Sequence, residues 1–324
     1  MVLASADHGH TLCHMGRLDS EHLVSYDRFM RPLSKPAAWD LPLPEARPPA
    51  EMAVYQLPTG TYDTRAVFAF RGGSFRDKRH FAATAILVQH PKGDLLIDAG
   101  FGPDVEGHIA TLPKFVRAPF RATKTVSEQL DANGYDRSRL LGVLVTHSHW
   151  DHVSGLDELQ MPIWMNSGEL EYAAEDPDGK VYRAVSEGHA IHEYDFNGPP
   201  YLGFSSSRDL FGDGSVVIAL AGGHTTGSIV VFVTVPSGKR YAFIGDLTWQ
   251  LDGIRNRVDR PLLLRMLADS DPDQVRQGLL RVIALADLMQ IVPSHDRDAY
   301  GGIPLLPAPL VPVPTNSEGS DRQP

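Results

Sequence analysis

Four side chains of metal-ligand type fall within six residues of one another in this chain: His147, His149, Asp151 and His152. They follow directly on the apolar run Leu141–Val145. In an extended segment, side chains two residues apart project to the same side, so His147 and His149 can converge on one point. Asp151 and His152 come after the chain has turned and can serve a second. Imidazoles with a carboxylate suit Zn2+, Fe2+ or Mn2+ better than Ca2+ or Cu+. One loop cannot fill two coordination shells, so further ligands must come from afar. Three later residues share the setting of a polar side chain at the end of an apolar run. They are His224 in the glycine-rich turn Gly222–Ser228, Asp246 after Tyr241–Gly245, and His295 after Ile291–Ser294.

The elements that must position these residues are short. Val-, Ile- and aromatic-rich runs predict strands over Met52–Leu57, Ala66–Phe70, Ala83–Gln89, Leu95–Ile97, Leu141–Val145, Ile163–Met165, Val216–Leu220, Ile229–Val235, Tyr241–Ile244 and Gln290–Val292. Pro91–Asp94 and Pro236–Lys239 read as hairpin turns. Thr125–Asn133, followed by Gly134, predicts a helix with a C-terminal glycine cap. Asp271-Pro272 predicts the start of another, whose apolar face Val275, Leu279, Val282, Ile283 and Ala286 carries it to about Leu288. Many strands among some helices, without strict alternation, suggest an α+β fold or a layered α/β sandwich. The domain reading is a proline-rich arm over residues 1–50, a body over 51–303 and a proline-rich tail over 304–324, disordered by composition. The arm is expected to pack on the body or to join a homodimer.

Composition excludes several classes. The chain has 324 residues and a formal net charge of −10, with no dense basic run, which argues against binding a long nucleic acid. Its single cysteine, Cys13, excludes an intrachain disulfide framework and an all-thiolate zinc site. No apolar run approaches the roughly 20 residues of a spanning helix, and the first residues lack the basic and apolar regions of a secretory signal. No membrane partner is therefore expected, and the cytoplasm is the expected compartment. Neither a phosphate-binding P-loop nor a dinucleotide fingerprint occurs, and no G-x-S-x-G elbow supports a serine hydrolase. The cluster His8, His10, Cys13 and His14 reads as part of a flexible arm, and His80, His90, His108, His189 and His192 as scattered surface or core residues.

The motifs together resemble the metallo-β-lactamase superfamily. H-x-H-x-D-H is His147–His152, the later histidine motif is Gly223–Gly227, the bridging aspartate follows Gly245, and the last histidine follows Ser294. The early aspartate, in an apolar strand before Ala-Gly, is Asp98 in Leu95–Gly100. The resemblance runs from about Met52 to Tyr300 and implies a four-layer αββα sandwich. It implies one metal ion held by His147, His149 and His224 and a second by Asp151, His152 and His295, with Asp246 bridging and Asp98 orienting a ligand loop. Asp151 and Asp246 are then the candidate catalytic carboxylates. Two divalent ions, Zn2+ before Fe2+ or Mn2+, would activate a bridging hydroxide against a small-molecule substrate. The chain looks most similar to N-acyl-homoserine-lactonase-like members, which implies opening of a lactone or other ester-type bond. A phosphodiesterase or nuclease on the same metals is the alternative, since Arg255, Arg257, Arg260 and Arg265 could hold an anionic substrate. A third reading is a non-hydrolytic mononuclear iron protein or metal-binding module.

Overall fold

Buried strands with apolar residues on both faces need cover on both sides, and that requirement builds four layers here. The computed structural model describes residues 32–114 and 117–307. One sheet contains β1 (Ala53–Arg65), β2 (Lys78–Gln89), β3 (Asp94–Ile97), β4 (Phe120–Ala122), β5 (Leu140–Leu144), β6 (Ile163–Met165) and β7 (Ile191–Glu193), in the order β4-β1-β2-β3-β5-β6-β7. The second contains β8 (Ser207–Asp209), β9 (Val216–Leu220), β10 (Ile229–Thr234), β11 (Arg240–Phe243) and β12 (Gln290–Val292), in the order β12-β11-β10-β9-β8.

The period of two along each strand sorts its side chains between cores. From β10, Ile229, Val231 and Val233 face the first sheet, where they meet Ile86, Val88, Ile97 and Leu144. Val230 and Phe232 face outward onto the helix Pro272–Leu285, through Val275, Leu279 and Val282. On the far side, Ala85 and Leu87 of β2 pack under the helices Val126–Asn133 and Lys180–Val185, through Val126, Leu130 and Val181. The layers are therefore helix, sheet, sheet, helix, the αββα sandwich that the motifs implied.

The two predicted helices start at their caps. The Thr125 hydroxyl accepts from the Glu128 amide while the Glu128 carboxylate accepts from the Thr125 amide, and Gly134 closes the helix at φ 70°. Asp271 accepts from the amides of Asp273 and Gln274, but the helix ends at Leu285, three residues short of the expected limit. Both expected hairpins form, between β2 and β3 and between β10 and β11. The expected strand Ala66–Phe70 is instead a helical turn, Ala66–Ala69. Ala66 and Ala69 are buried and Phe68 is exposed, a three-residue spacing that a strand cannot produce. A five-residue apolar run does not contain enough periods to distinguish the two. From the proline-rich arm, Leu33, Trp39 and Leu43 pack against the outer core of the second sheet. Residues 1–31, with the His8, His10, Cys13 and His14 cluster, and residues 308–324 of the tail lie outside the described residues. No helix among the described residues is long and apolar enough to cross a membrane.

Leu87 is fully buried between the first sheet and its helices. Leu87→Ala should lower unfolding free energy by about 2–5 kcal/mol, measured by urea denaturation. Leu263→Ala, at an exposed position, should change it by no more than about 0.5 kcal/mol.

Candidate metal centre

Strand direction brings the ligand loops together. β3 and β5 are parallel, so Asp98 and His147, which follow them, leave the first sheet at the same end. β9 and β11 each run antiparallel to β10, and β12 is parallel to β11, so His224, Asp246 and His295 leave the second sheet together. The two ends are tied across the seam by the Ile229 amide to the Thr146 carbonyl at 3.0 Å and the Ala82 amide to the His295 carbonyl at 3.2 Å.

All seven expected ligands meet there. His147, His149 and His224 bring one ligand atom each within 4.8 Å of one another; so do His147, His152 and Asp246, and so do Asp151, His152 and His295. Asp246 lies at the centre. Its carboxylate is 3.2 Å from His295 Nε2, 3.5 Å from the Nε2 atoms of His152 and His224, and 3.9 Å from that of His147. His295 Nε2 also lies 3.4 Å from Asp151 Oδ2. The Nε2 atoms of His147, His152 and His224 and Oδ1 of Asp246 are buried and make no hydrogen bond. Leaving such atoms unsatisfied costs roughly 1–3 kcal/mol each. Their convergence around one carboxylate fits a cation, and the imidazole and carboxylate donors are those of a transition-metal site.

An imidazole has two nitrogens, and the one turned away from the centre has a partner in every case. Asp98 Oδ2 holds His152 Nδ1 at 2.8 Å and Asp269 Oδ1 holds His224 Nδ1 at 3.0 Å. The Ala82 carbonyl holds His295 Nδ1 at 2.8 Å, the Tyr172 hydroxyl meets His149 Nε2 at 3.1 Å, and the Thr146 hydroxyl lies 3.2 Å from His147 Nδ1. These contacts fix ring orientation and tautomer. The carboxylates are held likewise: Tyr62 donates to Asp151 Oδ2 at 2.9 Å and Trp249 Nε1 to Asp246 Oδ2 at 2.7 Å. Asp98 also accepts from the Thr146 amide and hydroxyl, with its own backbone in the left-handed region at φ 58°.

Electrostatics divide the imidazoles. Burial holds His147 and His149 well below the usual histidine range, which keeps their lone pairs free. Burial also pulls on His152, but Asp98 and Asp246 together carry it well above that range. Burial, with Asp151 and Asp246 beside it, pushes the Tyr62 phenol far up, so it remains a donor.

Sequence reasoning missed Glu169, Asp269, Tyr62 and Tyr172. Glu169 is fully buried on the helix Ser167–Glu175. It accepts from the Ser148 amide at 2.6 Å and hydroxyl at 2.7 Å through one oxygen, and from the Thr225 hydroxyl through the other. One carboxylate thereby clamps the loop of His147 and His149 to the loop of His224. The contact is close enough that a Cβ at Gly227 would lie 2.1 Å from the Glu169 amide, which is why that position is glycine. Only Asp269, just ahead of the helix-start signal Asp271-Pro272, carried a local signal. Of the four arginines near residue 260, Arg265 pairs with Asp259 and Asp273, Arg255 is exposed, the Arg257 carbonyl accepts from the Leu33 amide, and Arg260 is buried against Trp249 and Asp269.

The family model of the metallo-beta-lactamase superfamily matches residues 79–295. A probable metallo-hydrolase of Mycobacterium tuberculosis is 26% identical over 235 residues, which cover 66% of this chain and 74% of the relative. The N-acyl homoserine lactonase AttM of Agrobacterium fabrum is 25% identical over 231 residues, covering 68% and 84%. In fold, the chain is similar to a solved N-acyl homoserine lactone hydrolase with N-hexanoyl-L-homoserine bound at its catalytic metal centre. That likeness has a TM-score of 0.60 at 16% identity, over 76% of this chain and 93% of that one. The chain belongs to the metallo-beta-lactamase superfamily, as a metallo-hydrolase related at low identity to lactonases.

Glu169→Gln places an amide N–H2 among donors. It should weaken metal binding roughly 10–100-fold with the far-ultraviolet dichroism unchanged, measured by competition with a coloured chelator. Asp246→Asn should lower both metal content and kcat, the latter on the order of 10²-fold or more. Asp98→Asn should lose activity while its metal content at saturating zinc stays near wild type. Full rescue of the Asp246 variant by excess zinc, with none for the Asp98 variant, would reverse the two roles.

Proposed function

We propose that this protein is a dinuclear metal hydrolase that opens a lactone or other ester-type bond of a small molecule. The observation that carries the reading is the pair of ligand sets, His147 with His149 and His224, and Asp151 with His152 and His295, meeting at Asp246. Seven donors exceed the shell of one tetrahedral ion and suit two. Thiolate-free imidazole and carboxylate donors favour Zn2+, with Fe2+ and Mn2+ as the other candidates. Two such ions supply a water acidified toward neutrality and an electrophile for the substrate carbonyl.

The chain's own residues do the rest. Asp246 turns Oδ2, which accepts from Trp249, toward His147 and His224, and Oδ1, which makes no hydrogen bond, toward His152 and His295, so one carboxylate faces both sets. Tyr62 spends its proton on Asp151, so it orients that carboxylate rather than acting as an acid. Phe81 stacks on the His295 ring at 5.3 Å, and Trp150 stacks on Phe101 at 5.5 Å, which excludes water from the side of the second set. The similarity to lactonases supports the ester reading over phosphodiester cleavage.

Purification without chelator should give close to two metal ions per chain by mass spectrometry. A panel of lactones, thioesters, a bis-aryl phosphodiester and β-lactams should show highest kcat/KM for a lactone or ester. Full activity with one ion per chain would overturn the dinuclear reading, and a preference for the phosphodiester would overturn the ester reading.

A further inference from the structure

Arg260 is the one buried arginine beside this centre among the described residues, and its hydrogen bonding is left incomplete. It is 3% exposed. Nη1 donates to Asp269 Oδ1 at 2.6 Å, and the guanidinium carbon lies 4.5 Å from the centre of the Trp249 ring. Nε and Nη2 are buried and have no hydrogen-bond partner. The neighbouring Asp259 offers no relief, because it is taken by Arg265 and Arg276. Interior guanidinium donors are ordinarily all satisfied, so an empty pair is a place for a ligand oxygen.

Three facts describe that ligand. Nε and Nη2 form the side-on fork of a guanidinium, whose two parallel N–H groups match the two oxygens of a carboxylate. Trp249 covers one face, which leaves only the plane of the fork for a partner. The residues on either end of the arrangement belong to the metal centre, since Trp249 donates to Asp246 and Asp269 holds His224.

We propose that the Nε/Nη2 edge of Arg260 is a carboxylate-binding subsite, and that the esters this protein hydrolyses carry a carboxylate apart from the scissile bond. The inference rests on the hydrolase reading for its second half only. Nη1 positions Asp269 and the unpartnered Nε/Nη2 edge selects the substrate, so one side chain links ligand orientation to specificity.

The test uses the metal-loaded full chain with two p-nitrophenyl esters of equal length, one ending in a methyl group and one in a carboxylate. Calorimetric titration with glutarate runs beside it. Arg260→Lys keeps a positive charge near Asp269 but has no fork. The wild type should prefer the anionic ester. In the variant, the ratio of kcat/KM for the anionic over the neutral ester should fall on the order of 10-fold, and glutarate affinity by a similar factor, with metal content unchanged. Arg260→Gln should move both readouts the same way, which guards against misfolding of the first variant. An unchanged ratio and unchanged glutarate affinity would mean that Arg260 only positions Asp269, and the proposal fails. Inorganic phosphate displacing glutarate at equal concentration would overturn the choice of a carboxylate. If the wild type cleaves neither ester, the hydrolase reading fails, and the glutarate titration alone decides the subsite.

Discussion

Each imidazole at this centre can turn only one nitrogen inward, and everything around the centre follows from the need to satisfy the other. Burial makes an unpartnered N–H or lone pair costly, so five histidines demand five partners from the surrounding protein. The fold supplies two carboxylates, two hydroxyls and one backbone carbonyl, from Asp98, Asp269, Thr146, Tyr172 and Ala82. Ala82, Asp98 and Thr146 belong to strands of the first sheet or the loops that follow them, Tyr172 to the helix Ser167–Glu175, and Asp269 to the segment just ahead of the helix Pro272–Leu285. The centre is therefore less a feature added to one edge of the sandwich than the reason that edge is held closed. The Ile229–Thr146 and Ala82–His295 backbone bonds cross the seam between the sheets beside the ligands themselves.

Glu169 shows how far the support extends. A buried carboxylate is expensive, and burial pushes this one above the usual range against the pull of its hydrogen bonds. Its donors come from Ser148 and Thr225, residues on loops from different sheets. The helix that carries it is itself fixed by the Asn166 cap, whose amide reaches the Gly227 carbonyl. Relative motion of the two loops would break the capping contact and the carboxylate clamp together, so the His147, His149 and His224 set behaves as one rigid group.

The sequence exposed the candidate ligands and hid their partners for the same physical reason. His147 to His152 are contiguous, and a dense run of donors past an apolar strand has few other uses. His224, Asp246 and His295 were legible because each ends a strand. Glu169 and Tyr172 sit on a polar-faced helix whose pattern resembles any surface helix, and Tyr62 is 89 residues from the Asp151 it holds. Such pairings depend on sheet order, which local periodicity does not encode. The strand readings failed in a related way. Three-residue edge strands such as Ile191–Glu193 and Ser207–Asp209 carry too few apolar residues to register, and Ala66–Phe70 was too short to reveal its spacing.

The partners also make the two ligand sets unequal. Each set has one histidine backed by a carboxylate, His152 by Asp98 and His224 by Asp269, and such backing makes an imidazole a stronger donor. The remaining donors to Asp98 are neutral, the amide and hydroxyl of Thr146. Asp269 shares the same oxygen with Arg260, and although burial pushes its carboxyl up, Arg260 and His224 outweigh that and hold it below the usual range. A carboxylate already neutralised by a guanidinium polarises its imidazole less. His224 is thus the weaker donor of the pair, and a cation held by His147, His149 and His224 would keep more of its charge for whatever else it bound. On the proposed reading that cation would be the better electrophile for a carbonyl oxygen, and the residues that would hold it include His224, which Asp269 ties to Arg260. The residue that would recognise the substrate's carboxylate is then also the residue that sharpens the nearer metal position toward its carbonyl.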